Sequence, residues 1–349
     1  MRISNLLILI FLGSSSLAKA EDLLDLNIEA EGMIDTYYSH NFDSQKSASK
    51  QFFTQSLKDD KYNLNLAYFG VAAENENFHG KLSLQYGNSV DANYSAETYD
   101  SLKYLQEAFI GYNLNEKLRI DVGIYFSHIG LESFISKNNS AYTRSLVSEF
   151  SPYYQSGVRI EYQLSESILT QLHLLNGWQN VSTDKLQPAI GTQVVFGKSN
   201  HTQVSYNTFF GNENDGFRTL QDIVVTVPLH ESLDISGAID WGFEDSDINE
   251  SGDWYGFLFL ADFWVLENLS FITRFEGYSD TDSIIVISEN GQAFKTNSYS
   301  VGFNYEPQEN ILIRTEYKSL MSSNLIFKKD DSTYTKNDSY LIGSLSIFF

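Results

Sequence analysis

The strongest constraint on this chain is a two-residue alternation of apolar and polar side chains that recurs along most of its length. Leu118, Ile120, Val122, Ile124 and Phe126 alternate with Arg119, Asp121, Gly123 and Tyr125. The pattern returns in Tyr62, Leu64, Leu66 and Tyr68, in Leu82, Leu84 and Tyr86, and in Val158, Ile160, Tyr162 and Leu164. It returns again in Leu233, Ile235, Ile239 and Trp241. Successive side chains of a strand point to opposite faces, so each segment carries one apolar and one polar face. Sixteen such segments are legible: 26–39, 61–72, 78–88, 103–114, 117–127, 154–164, 167–178, 188–197, 201–210, 219–229, 232–243, 254–266, 268–279, 297–306, 310–319 and 338–349.

The connections carry a second pattern. Short polar turns recur at Glu74–Asn77, Asn115-Glu116, Ser165–Ser167, Lys198–Asn200, His230–Ser232, Glu267-Asn268 and Pro307–Asn310. Between them fall longer hydrophilic stretches at about 40–60, 89–102, 128–153, 179–187, 211–218, 244–253, 280–296 and 320–337. Short turns at one end and long loops at the other mark a transmembrane barrel, with tight periplasmic turns and longer external loops. The expected fold is therefore all-β: one antiparallel transmembrane β-barrel of about sixteen strands. Fourteen is the alternative count, if 280–296 with its Ile284–Ile287 run rearranges the late hairpins.

Composition fits that class. Beyond residue 20 no apolar run is long enough for a membrane-spanning helix, yet Phe, Tyr and Trp make up 15% of the chain, as a wall with one lipid face requires. Cysteine is absent, which excludes a disulfide scaffold and a cysteine-ligated metal site. A net charge of −22 argues against nucleic-acid binding.

The first twenty residues read as a secretory leader. Met1-Arg2 is basic, Leu6–Leu12 is apolar, and Ala18-Lys19-Ala20 is a small-x-small cleavage site. A short N-terminal anchor is the competing reading, but the run is too short to cross a bilayer comfortably. Residues 21–349 then form a single barrel domain placed in the outer membrane of a Gram-negative cell. The final segment presents Leu341, Gly343, Leu345, Ile347 and Phe349 on one face. An aromatic at that end suits the interfacial girdle and resembles the terminal signal that outer-membrane proteins present to their barrel assembly machinery. Outer-membrane lipid and lipopolysaccharide are the surroundings this implies. A homotrimer is one assembly open to such a barrel, although no segment identifies a subunit interface.

The inward phase holds most of the charge within the wall. Arg119, Arg159, Arg274 and Arg314 fall in it, as do Glu29, Glu31, Asp35, Glu107, Asp121, Glu161, Asp234, Asp240, Glu276 and Glu316. On the lipid face each Arg or Lys would cost about 2–4 kcal/mol at the midplane. Arg119/Asp121, Arg159/Glu161, Arg274/Glu276 and Arg314/Glu316 are each spaced i,i+2 and share a face. They either brace the inner wall or form rings of charge that select what passes. The long stretch 128–153 either folds inward as a constriction, bringing Glu132, Arg144 and Glu149 into the lumen, or lies outside as an ordinary loop. Acidic loop residues, among them Asp59, Asp60, Asp245, Asp247, Glu250, Asp330 and Asp331, read as solvating groups or as ligands for divalent cations near lipopolysaccharide.

No catalytic frame and no metal motif is found. His173 with Asn176 and a nearby serine is the single arrangement that could suggest a membrane phospholipase, and a lone lumen histidine is more often a polar wall residue. Asn212–Gly216 lacks the full spacing of a calcium loop. No cofactor is expected.

Several short blocks carry a family resemblance. Gly32-Met33-Ile34-Asp35-Thr36-Tyr37-Tyr38-Ser39-His40-Asn41-Phe42 resembles the opening strand of the OmpL-like β-barrel porins. Asp121-Val122-Gly123, Gly130-Leu131-Glu132, Ser151-Pro152-Tyr153-Tyr154-Gln155-Ser156-Gly157-Val158-Arg159 and Asn176-Gly177-Trp178 follow in that family's order. The matches span about residues 30–210; Pro152-Tyr153-Tyr154 departs from the family's Pro-Phe-Tyr. The resemblance implies an outer-membrane channel, and no catalytic residues or defined solute. The leading expectation is thus a porin for passive diffusion of small polar solutes or ions. The alternative is a barrel closed by its own loops that serves adhesion or surface protection.

Overall fold

In hydrocarbon no water satisfies a strand's backbone, so every sheet edge must find a partner. The computed structural model, which describes residues 26–43, 49–184, 188–198, 200–213, 216–246, 251–330 and 332–349, meets that demand with one closed sheet. Its first half comprises β1 (Asn27–Asn41), β2 (Tyr62–Glu74), β3 (Phe78–Tyr86), β4 (Leu105–Asn115), β5 (Leu118–Phe126), β6 (Tyr154–Ser165), β7 (Ile168–Leu175) and β8 (Ala189–Phe196). The second half comprises β9 (Gln203–Glu213), β10 (Gly216–His230), β11 (Leu233–Ser246), β12 (Gly252–Leu266), β13 (Leu269–Asp280), β14 (Phe294–Gln308), β15 (Ile311–Ser322) and, after a two-strand loop hairpin of β16 (Phe327–Lys328) and β17 (Tyr334–Thr335), the closing β18 (Asn337–Phe348). Sixteen strands form the wall, each antiparallel to its neighbours, and β18 pairs back onto β1. At the seam Gly32 and Phe349 exchange both backbone hydrogen bonds, each 3.1 Å. An even strand number is what lets an antiparallel sheet close on itself.

All sixteen expected segments are strands, and the count of fourteen is ruled out. Residues 284–287 lie between β13 and β14 and form no strand; the Ile284, Ile285 and Val286 N–H groups all donate to Asp280. One expected connection needs correction. Residues 211–218 are not a long loop, because β9 and β10 stay paired out to Glu213↔Gly216 and leave only 214–215 between them. Gly211, Asn212 and Arg218 look loop-like but continue the ladder. Arg218 faces in, where it meets Glu244 on β11 at 2.6 Å, while Phe217 faces out. The expected leader at 1–20 and the acidic residues Asp247, Glu250 and Asp331 lie outside the described residues.

The outer wall is apolar. Ile34, Phe69, Leu82, Ile110, Ile239 and Phe275 are exposed there, while their neighbours along each strand turn inward. Among the described residues no helix is long and apolar enough to cross a membrane, so the strands carry the span.

Gly123 (φ +139°) and Gly157 (φ +154°) sit directly opposite one another on β5 and β6, in backbone conformations that other residues rarely adopt. A Cβ on Gly157 would meet the Leu174 carbonyl on β7, and one on Gly123 the Ala108 carbonyl on β4. Gly157→Ala is expected to destabilise the barrel by about 1–3 kcal/mol through strain alone. The check is the temperature at which the folded form unfolds on an SDS gel.

Candidate functional site

The segment 127–153 enters the barrel, and the reason lies in how its backbone is satisfied. A chain threaded through a lumen loses water and must find a partner for each N–H and C=O. The inner wall supplies them as charged side chains. Arg314 on β15 donates to the carbonyls of Ser136 (2.7 Å), Asn139 (3.1 Å) and Ala141 (3.3 Å). Arg274 on β13 donates to the Thr143 carbonyl and hydroxyl, and Lys318 on β15 donates to the Arg144 carbonyl at 2.9 Å. Acids serve the N–H groups. Glu316 accepts from Thr143 (2.7 Å), Glu276 from Leu146 (2.5 Å), and Asp222 on β10 from Gly130 (2.7 Å). Such charge-assisted bonds are about twice as strong as neutral ones.

These groups also balance one another. Arg274 lies 2.9 Å from Glu132 and 3.1 Å from Glu316, and Lys318 lies 2.8 Å from Glu276. Their side chains are essentially inaccessible to water. Within the segment a short helix (Leu146–Glu149) is capped by the Ser145 side chain. Its Leu146 and Val147, with Ile129, Ala141 and Tyr142, join an apolar cluster on the inner wall that includes Leu258, Leu260, Ile272 and Tyr278.

The candidate residues divide into two groups. Glu132, Arg144, Glu149, Arg274, Glu276, Arg314 and Glu316 converge on the inward segment and are all buried. Glu149 accepts from Thr54 in the first long loop at 2.8 Å and from the Tyr153 hydroxyl, and Arg144 stacks on the Tyr153 ring at 3.4 Å. Arg119, Asp121, Arg159 and Glu161 form a separate group on β5 and β6. Asp121 gathers His79, Arg119 and Arg159 around one carboxylate, while Glu161 accepts from Gln171 at 2.8 Å. Arg119 and Glu161 border an open concavity of about 740 Å³ at the short-turn end, with Asn77, Asn113, Lys117 and Gln163.

Most of the i,i+2 partners are not each other's closest. Arg159 bonds Asp121, its register partner across β5–β6, rather than Glu161. Glu316 bonds Arg274 rather than Arg314. Asp121 and Arg159 are directly opposed on neighbouring strands, where residues stand about 4.5–5.5 Å apart and closer than two residues along one strand, so register pairing wins there. Glu316 and Arg274 instead meet across β14 inside the barrel.

Two features are not evident from the sequence pattern. Asp222 and Lys318 hold the segment as firmly as the arginines do, and the signal for Lys318 is its i,i+2 spacing from Glu316. The apolar inner face also has a signal, since Phe257-Leu258-Phe259-Leu260 on β12 is a continuous run where a water-facing wall would alternate. His173 stacks on His128 at 4.0 Å and bonds Gln171. The serine near Asn176, Ser156, bonds Asn176 and the Val181 carbonyl instead, so these residues assemble no Ser–His pair. No group of three metal-ligating side chains occurs among the described residues.

Solved structures with the same architecture are outer-membrane barrels. The outer membrane channel DcaP of Acinetobacter baumannii matches with a TM-score of 0.62 at 13% identity, covering 93% of this chain and 98% of that one. An anion-selective porin of Comamonas acidovorans gives 0.62 at 11%, covering 93% and 100%. OmpT of Vibrio cholerae in a trimer form gives 0.63 at 10%, covering 93% and 99%. At these identities the likeness shows the fold. No curated protein matches the chain in sequence. The family assignment comes from a family model matching residues 27–349, which covers the whole barrel: the chain is a Gram-negative outer-membrane β-barrel and belongs to the "Putative beta-barrel porin-2, OmpL-like" family.

Proposed function

We propose that this barrel is a porin that passes small hydrophilic solutes or ions by passive diffusion, with the inward segment setting the size limit and lumen charge setting selectivity. The observation that carries this reading is the segment 127–153, held inside the barrel by wall charges. It narrows the lumen without filling the open concavity at the short-turn end, where Arg119 and Glu161 meet water. Liposomes reconstituted with the protein should swell in pentoses and hexoses and fail to swell in a tetrasaccharide. No swelling in any sugar would contradict the reading. Arg119→Glu removes a cation and adds an anion at that mouth, so its reversal potential under a salt gradient should move toward cation preference.

A second reading is favoured by a specific observation. The inner face of β10–β15 carries apolar side chains among its charges, including Leu258, Leu260, Ile272 and Tyr278, which pack in one cluster with the segment. The first long loop adds Phe53 against Tyr340 at 5.9 Å. A lumen closed this way would suit adhesion or surface protection, and the same swelling assay separates the two.

The trimer form of OmpT supports a homotrimer here, which light scattering of the purified protein in detergent would measure. Cleavage of the leader after Ala20 and recognition of Phe349 by the assembly machinery complete the proposal. N-terminal sequencing of the membrane form tests the former, and membrane insertion of Phe349→Ala tests the latter.

A further inference from the structure

Among the described residues Arg144 is a buried cation without a carboxylate. Elsewhere in the interior Lys50, Arg218, Arg274 and Lys318 each lie within 2.9 Å of one, and Arg314 gives its N–H groups to three carbonyls. Arg144 is 2% exposed and has one acceptor among the described residues, the Ser148 carbonyl at 2.6 Å; its Nε and Nη1 have no partner there. One face of the guanidinium is closed by the Tyr153 ring. Burying a charge with unmet hydrogen bonds is strongly unfavourable.

A cavity of about 190 Å³ borders the same side chain, walled by Phe126, Gly130, Leu131, Phe134 and Tyr153. It exceeds the roughly 10–15 Å³ that one water requires. Glu132 also lines it, but both its oxygens are engaged, one by Arg274 and one by the Ser145 N–H. Glu149 spends Oε2 on Thr54 and the Tyr153 hydroxyl, and its buried Oε1 has no hydrogen-bond partner among the described residues and forms no ion pair with the guanidinium.

We propose that Arg144 binds a small monovalent anion of chloride's size and charge in this cavity, inside the inward segment itself. The anion supplies the missing counter-charge and fastens residues 126–134 to 144–153. This site does not depend on whether solutes traverse the barrel.

The experiment compares thermal unfolding of the detergent-folded barrel in sodium bromide and in sodium gluconate at one ionic strength, with bromide as the probe. A ligand that binds the folded state alone raises the midpoint. The native protein should gain stability as bromide replaces gluconate, and Arg144→Met should bind bromide at least about tenfold more weakly and lose that response. Equal bromide responses in the two proteins, or none in the native one, would overturn the proposal. Should Arg144→Met fail to fold, crystals of the native protein soaked in bromide decide. An anomalous peak against Arg144 Nε or Nη1 supports the site, and an empty cavity refutes it.

Discussion

Arg274→Ala should both weaken the barrel and widen it. The substitution removes the guanidinium that holds Glu132, Glu316 and the backbone of Thr143, and leaves two carboxylates buried without it. Breaking a buried ion pair from one side costs about 3–5 kcal/mol. Part of that penalty is relieved if Thr143 and Glu132 swing away from β13 into water, which detaches the segment from the wall. The expected outcome is a lower unfolding temperature together with a larger single-channel conductance. Arg274→Lys keeps the charge but not the five N–H donors, so it should fall between. A variant that loses stability with unchanged conductance would show that the segment does not govern passage.

The second large effect is expected at Asp35. Its Oδ2 accepts from Asn65 on β2 (2.8 Å), from Ser136 (2.8 Å) and from the Tyr142 hydroxyl (3.3 Å). Its Oδ1 accepts from Ser346 on β18 at 2.9 Å. One buried carboxylate thus joins three strands at the closing seam to the inward segment. Asp35→Ala strands four donors, and each unmet buried group costs about 1–3 kcal/mol before relaxation. The seam and the segment should loosen together. Limited trypsinolysis reads this, with faster cutting at Arg144, which is buried in the native protein. Unchanged protection of that segment alongside a lower unfolding temperature would place the role of Asp35 in the seam alone.

Much of this is legible in the sequence because a barrel wall obeys a local rule. Alternation places Asp35, Asp240, Arg274 and Glu316 inward from phase alone, but a bulge resets it on β2, where Tyr62 is exposed while Leu66 and Tyr68 are buried. Strand ends are the weaker point where polar residues continue a ladder, as Gly211 to Glu213 do on β9. The partners of the inward charges are harder. Phase tells that Arg159 faces in, but only cross-strand register reveals that Asp121, not Glu161, is opposite. The path of residues 127–153 has no local rule at all. It depends on a backbone finding donors and acceptors on β10, β13 and β15 at once, a set that exists only when the barrel closes. The run Phe257–Leu260 is the available hint, because an apolar inner face needs something to cover it.

Single-channel recording of the native protein in a planar bilayer is the most direct test of the proposed channel. Discrete, stable conductance steps are expected, small for a sixteen-stranded barrel and larger when Arg274 is replaced. Folded, inserted barrels that give no steps would contradict the channel and leave the closed, loop-packed barrel as the reading to pursue.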